Sequence, residues 1–187
     1  KNLREFVDWA RANAGKVNYS SPGKGTTPHL NVELLSQLAD LKLVHVPYRG
    51  LPDAMAAVLA GDVQLYLAGY AAGRGHIQAG KLRAIAVGSR ERLSVLPDVP
   101  TAIELGFRDF EANNWFALAA PAGTPQAIVE RVSADVRAVL QLDEVRKRFA
   151  DGGLVATAST PAELRARFER EAKLWGAVIK RAGIEAE

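Results

Sequence analysis

Short runs of strand-forming residues alternate with helical stripes from Val17 to Gly88, and this alternation constrains the fold more than any other feature. Val17–Ser20, Leu43–Val46 ("LVHV"), Val63–Leu67 ("VQLYL") and Leu82–Gly88 ("LRAIAVG") read as strands. Between them lie Leu30, Leu34, Leu35 and Leu38 at helical spacing, then "LPDAMAAVLAG" with Gly61 as its stop, then the glycine-weakened "AAGRGHIQAG" ending at Gly80. Strand, helix, strand, helix at this spacing predicts an α/β fold, a parallel sheet covered by helices.

The flanks have a different pattern. Leu3, Phe6, Val7, Ala10 and Ala14 make a first helix, with Gly15 expected just past its end. After Gly88 a charged, proline-punctuated connection holds one short helix before Gly106, and Phe110–Ala120 reads as a longer strand. Thr124 and Pro125 signal the start of a helix carrying Ile128, Val132, Val136 and Val139. A second helix carries Val145 and Phe149 and stops at Gly152–Gly153, and Leu154–Ala156 reads as a short strand. "TPAE", Thr160–Glu163, is a capping box opening the last helix, with Gly183 as its end. These helical stripes need a surface to cover, yet their own segments supply few strands. The chain also opens abruptly at Lys1, on the edge of a helix, so an upstream portion is expected.

Composition narrows the function classes. The chain has 187 residues, 48% of them apolar, and a net charge of +3 spread along its length, which gives little support to nucleic-acid binding. Cysteine is absent, which removes disulfides, thiol catalysis and Cys-ligated metals. No apolar run approaches the roughly 20 residues of a membrane span. The three histidines, His29, His45 and His76, have no metal-ligand spacing. His29 and His45 read as satisfied structural residues, His76 as a surface one, and neither a metal site nor a cofactor is expected. No Ser lies in a nucleophile elbow or a recognisable catalytic order. Glu169 and Glu171 read as the solvated face of one helix, and Trp9 and Trp175 as packing residues.

"NYSSPGKGTTPHL", Asn18–Leu30, is the most informative stretch. It is not a P-loop, because Gly25 follows Lys24 where Ser or Thr is required and the upstream Gly is missing. Nor is it a dinucleotide fingerprint, because Gly23-x-Gly25 lacks the third Gly. Two readings remain. One is an ordinary turn between a strand and a capped helix. The other is an anion site: Gly23 and Gly25 allow close backbone approach, Ser20, Ser21, Thr26 and Thr27 add hydroxyls, and the helix beginning near Pro28 presents its positive end. Two further strand–helix turns face the same way, since ligands of open α/β sheets bind at the carboxyl ends of strands. One holds Tyr48, Arg49 and Gly50; the other follows Leu67 and leads to Arg74. Trp115, in "NNW", is a candidate ligand-facing residue where the chain passes between regions.

"KVNYSSPGKGTTPHL", "LVHVPYRG", "IQAGKLRAIAVGSRERLSVLPDVPTAIELG", "NNWFALAAPAGTP" and "LWGAVIKRAGI" together resemble the tripartite tricarboxylate transporter substrate-binding proteins, the Bug family of periplasmic solute receptors. The resemblance implies a two-lobed periplasmic-binding-protein-like (type II) fold with the first lobe incomplete. Residues 1–16 would be a remnant of that lobe, 17–109 the ligand-binding second lobe, and 110–187 a crossover strand and helices returning to the first. It places Ser20, Ser21, Gly25, Thr26 and Thr27 near a small carboxylate, His29 at the edge, and the Tyr48–Gly50 backbone on the cleft. In similar sequences an Asp and a Pro/Ser-containing turn follow the third strand, but here Ala68, Gly69, Tyr70 and Ala71 stand there. The implied function is capture of a di- or tricarboxylate in the periplasm for the membrane components of such a transporter, without catalysis. Three other outcomes stay open: the effector domain of a transcription regulator, an enzyme on the same fold, and a chain that binds nothing because half of its cleft is missing, its exposed surface then driving dimerisation.

Overall fold

The structure, a computed structural model, describes residues 2–185. Lys1, where the first-lobe remnant is expected to begin, and the last two residues of the expected returning segment lie outside them.

The sheet is short and parallel, with order β2-β1-β3, so β1 (Val17–Ser21) is flanked by β2 (Leu43–Pro47) and β3 (Leu65–Tyr66). Tyr19 pairs with His45 on one side of β1 and with Leu65 on the other. Alternate residues of β1 face opposite layers. Val17 joins the core with α1 (Leu3–Ala12) and α2 (Thr27–Ala39), whereas Ser20 meets α3 (Leu51–Ala60) through a hydrogen bond from its hydroxyl to the Ala54 carbonyl at 3.0 Å. Helices thus cover both faces, as the alternation of the sequence requires.

The main core gathers Leu3, Val7 and Ala10 of α1, Leu34, Leu35 and Ala39 of α2, and Val178 of α7 (Pro161–Ala182). Arg11 ties α1 to α2 by donating to the Ala39 carbonyl at 2.7 Å, and Gln37 ties α2 to α7 by donating to the Val178 carbonyl at 3.1 Å. The remaining helices are α4 (Tyr70–Gln78), α5 (Gln126–Val139) and α6 (Asp143–Asp151). Thr160 and Glu163 close the expected capping box of α7, and Gly183 ends it in the left-handed conformation.

Several expectations are corrected. The third strand is only Leu65–Tyr66 instead of Val63–Leu67, because only Tyr19 and Ser20 of β1 extend a ladder to it. Leu82–Gly88 forms no strand, only an isolated parallel bridge from Val87 to Thr101. Phe110–Ala120 and Leu154–Ala156 form no strand. The start of the first is anchored, with Phe110 in the core and the Ala112 amide donating to the Gly88 carbonyl at 3.0 Å, whereas farther on Phe116 is 86% exposed and Leu118 is 70% exposed. The helix expected before Gly106 is a tight turn, since Pro100 and Gly106 bracket too few residues for more. In it Glu104 and Thr101 cap one another, through Thr101 N–H to Glu104 Oε2 at 2.7 Å and Glu104 N–H to Thr101 Oγ1 at 3.0 Å. Pro125, not Thr124, is the N-cap of α5, and the Thr124 hydroxyl turns back to the Pro121 carbonyl. The first helix ends at Ala12 with Asn13 as its cap, and Gly15 instead donates to the Lys42 carbonyl at 2.8 Å.

Candidate functional site

Because all three strands are parallel, the loops after them open on one edge. β1 is central, and the chain lays β2 on one side of it and β3 on the other. This is the topological switch point at which open α/β sheets bind ligands. The edge brings together Ser20, Ser21, Gly25, Thr26 and Thr27 from the first loop, Tyr48, Arg49 and Gly50 from the second, and Ala68 from the third. The Tyr48 amide donates to the Ser21 carbonyl at 2.9 Å and stitches the first two loops. Gly50, at φ +152, caps α3, a backbone that favours glycine.

Within the first loop the hydroxyls are spent largely on the protein. Ser20 and Ser21 are fully buried. Ser21 Oγ donates to the Gly23 carbonyl at 2.9 Å and receives the Gly23 amide at 3.2 Å. Thr26 Oγ1 donates to the same carbonyl at 2.7 Å. Thr26 is the N-cap of α2, and its side chain makes no cap hydrogen bond. Pro28 stands at the second helical position and has no N–H. The first-turn amides of Thr27 and His29 therefore point outward with no carbonyl of their own helix to meet. Thr27 and Gly25 are exposed, so this positive helix end is open to solvent. The arrangement offers backbone amides to a ligand.

Beneath the loop lies a cluster that sequence spacing does not reveal. The His29 and His45 rings stack with centroids 3.8 Å apart, and Tyr19 stacks on His45 at 4.9 Å. The Gly25 amide donates to His29 Nδ1 at 3.0 Å, and His45 Nε2 lies 2.6 Å from Ser21 Oγ. The Tyr19 hydroxyl donates to Glu33 Oε1 at 2.5 Å. Burial pushes the Tyr19 phenol up, and the Glu33 carboxylate pushes the same way. Burial lowers both imidazoles, His45 to about 4, with His29 and Lys24 adding to it. His29, expected at the edge of the site, is only 4% exposed.

Two buried polar atoms, Asn31 Oδ1 and the Tyr66 hydroxyl, find no partner among the described residues. Tyr66 pairs with Ser20 in the ladder, at the same carboxyl edge. Trp115 is held elsewhere. Its Nε1 donates to Glu171 Oε2 at 2.8 Å, its ring meets Phe168 edge-on at 5.0 Å, and the Arg167 guanidinium lies 4.9 Å from the ring centroid. The described residues hold no cluster of three or more His, Cys, Asp or Glu able to bind a metal. No described helix is long and apolar enough to cross a membrane.

Residues 1–184 match the family described as tripartite tricarboxylate transporter family receptor. A UPF0065 protein in the tcbD-tcbE intergenic region of Pseudomonas sp. (strain P51) is 33% identical over 180 residues, covering 96% of this chain and 54% of that protein. Among solved structures, an R. palustris protein with adipate superposes with a TM-score of 0.83 at 28% identity, covering 98% of this chain and 61% of the other. MatC from Rhodopseudomonas palustris with bound malate gives 0.76 at 31% identity, covering 96% and 62%. The chain thus spans about half the length of the curated relatives it matches.

Proposed function

The chain belongs to the tripartite tricarboxylate transporter receptor family, and from that premise we propose that it captures a small carboxylate for such a transporter. The observation that carries this is the exposed amino end of α2, presented at the switch point by a loop with two glycines at positive φ. A carboxylate suits the site: it is small, singly charged at each end, and takes two or three amide or hydroxyl donors. The adipate and malate found with similar structures support the class of ligand.

In this reading residues 17–109 form one lobe, and residues 1–16 and 110–187 belong to the other. The ligand is shared between lobes and favours the closed form, with no bond made or broken. Thr27, Gly25 and the Tyr48–Gly50 backbone contribute from the first lobe named. Arg49 supplies positive charge at the rim, and Ala68 leaves room where a larger side chain would stand. The place of action is the periplasm, and the partners are the membrane components of the transporter.

A thermal-shift panel of adipate, malate and citrate, with phosphate and nucleotides as controls, tests this on the protein expressed from its full reading frame. A native-state binder raises the melting temperature by linkage. A shift with one carboxylate that Thr26→Val abolishes supports the reading. A shift with phosphate or nucleotide alone contradicts it.

A further inference from the structure

We propose that His29 and His45 are positioning residues for the anion loop, a neutral stacked pair that holds both loop glycines and, when His29 is protonated, releases Gly25. The inference rests on the loop being the carboxylate site. Its first support is geometric. His29 stands at the third helical position of α2, where a capping-box Glu would reach back to the N-cap amide. Here the imidazole reaches one residue further, to Gly25. A carboxylate in that place would set a negative charge under a site that must take an anion. A neutral imidazole accepts the same N–H without that charge.

The proton positions follow from the partners. His29 accepts through Nδ1, so its proton is on Nε2, the nitrogen 4.0 Å from Glu33 Oε1. Ser21 gives its single hydroxyl proton to the Gly23 carbonyl, so His45 Nε2 donates to Ser21 Oγ. His29 thereby fixes Gly25 directly, and His45 fixes Gly23 through Ser21. Gly23 has φ +139 and Gly25 has φ +70, backbones that other residues rarely adopt, so the loop's shape depends on these anchors.

Every group facing the pair bears on its charge. Tyr19 comes from β1, Glu33 from α2, and Lys24 from the loop itself; each ring also faces the other. Burial, Lys24 and the ring-on-ring contact disfavour a cation, and only Glu33 favours one on His29. Protonating His29 removes the Nδ1 lone pair and frees the Gly25 amide. Glu33 compensates the new charge, so loss of loop shape outweighs the added attraction for an anion.

The test begins on the ligand-free protein, by 1H–15N NMR between about pH 8 and pH 4.5, a range spanning the ordinary imidazole value. The expected result is that the Gly25 amide shifts and loses exchange protection in step with protonation of His29 Nδ1, both below the ordinary histidine pKa. Calorimetry with succinate is then expected to show affinity falling about tenfold, one hydrogen bond's worth, over the same interval. His29→Gln, which keeps an acceptor and does not titrate, is expected to bind with no such loss. If that variant does not fold, the wild-type titration decides. A Gly25 amide indifferent to His29 protonation overturns the inference whatever binds. Coupled titration with no carboxylate bound at any pH supports the positioning pair and overturns the receptor reading instead.

Discussion

The Gly25 amide and His29 Nδ1, 3.0 Å apart, join the exposed loop before α2 to an aromatic stack beneath it. The stack in turn is fixed by the parallel register that sets Tyr19 beside His45. The site's shape is thus an output of sheet pairing rather than of the loop residues alone.

Stability should depend on pH through this stack. A histidine whose folded pKa lies below its unfolded value binds its proton first in the unfolded chain. Stability is therefore intact above about 6.5, the ordinary value, and falls toward about 4, where His45 charges in the folded protein. Melting curves should show the loss beginning between about pH 6.5 and 5, before most carboxylates titrate. His45→Phe keeps an aromatic ring and should flatten that part of the profile. An unchanged profile would mean that His45 takes up its proton as readily in the folded chain as in the unfolded one.

Gly25→Ala should be costly although open space surrounds the position. A Cβ there meets nothing within 4 Å, but φ is +70. The left-handed backbone penalty is about 1–2 kcal/mol for a residue with a Cβ. For a domain of this size that is a melting-temperature drop of about 2–8 °C. Carboxylate binding should weaken with it. A stability-neutral variant would show that the loop relaxes to negative φ.

Tyr66→Phe separates binding from folding. The Tyr66 hydroxyl is buried without a partner, and burial raises its pKa. Removing an unsatisfied hydroxyl should leave stability unchanged or raise it by up to about 1 kcal/mol. If the ligand is that hydroxyl's missing partner, carboxylate affinity should drop at the same time. Loss of stability would show that water or a neighbour satisfies it.

Glu171→Leu should loosen the chain between α4 and α5. Glu171 accepts from Trp115 Nε1 and pairs with Arg167 at 2.7 Å, and these bonds hold its carboxyl below the usual range although burial raises it. The group is partly exposed, so the expected cost is about 1 kcal/mol, or about 2–4 °C. Trp115 emission should shift to the red as its indole meets water. Unshifted emission would show that Phe168 and Arg167 suffice.

Local signals were legible where local physics decides. The capping box at Thr160–Glu163 and the Gly61 stop are set by neighbours within one turn, and both formed. β1, β2 and the loop before α2 followed from apolar runs and turn residues. Strand status for Leu82–Gly88 and Phe110–Ala120 was not legible, because an apolar run reports that a segment can be buried and cannot report whether a ladder partner exists. The first has one bridge, Val87 to Thr101, and the second ends in the exposed Phe116 and Leu118. His45 was invisible as a site neighbour for a related reason. Its role arises from register with Tyr19 and from the crossing of α2, which no sequence period encodes. Ser20 and Ser21 end β1 where the loop begins, and their burial could not be foreseen from hydroxyl chemistry alone.

The central claim is that the amino end of α2 binds a carboxylate. An 1H–15N NMR titration of the protein from its full reading frame with malate and adipate tests it most directly. The predicted result is saturable shifts concentrated at the amides of Gly25, Thr26, Thr27 and His29, smaller ones at Tyr48–Gly50, and none with phosphate at equal concentration. Saturable shifts that bypass Gly25–His29, or a response to phosphate alone, would contradict it.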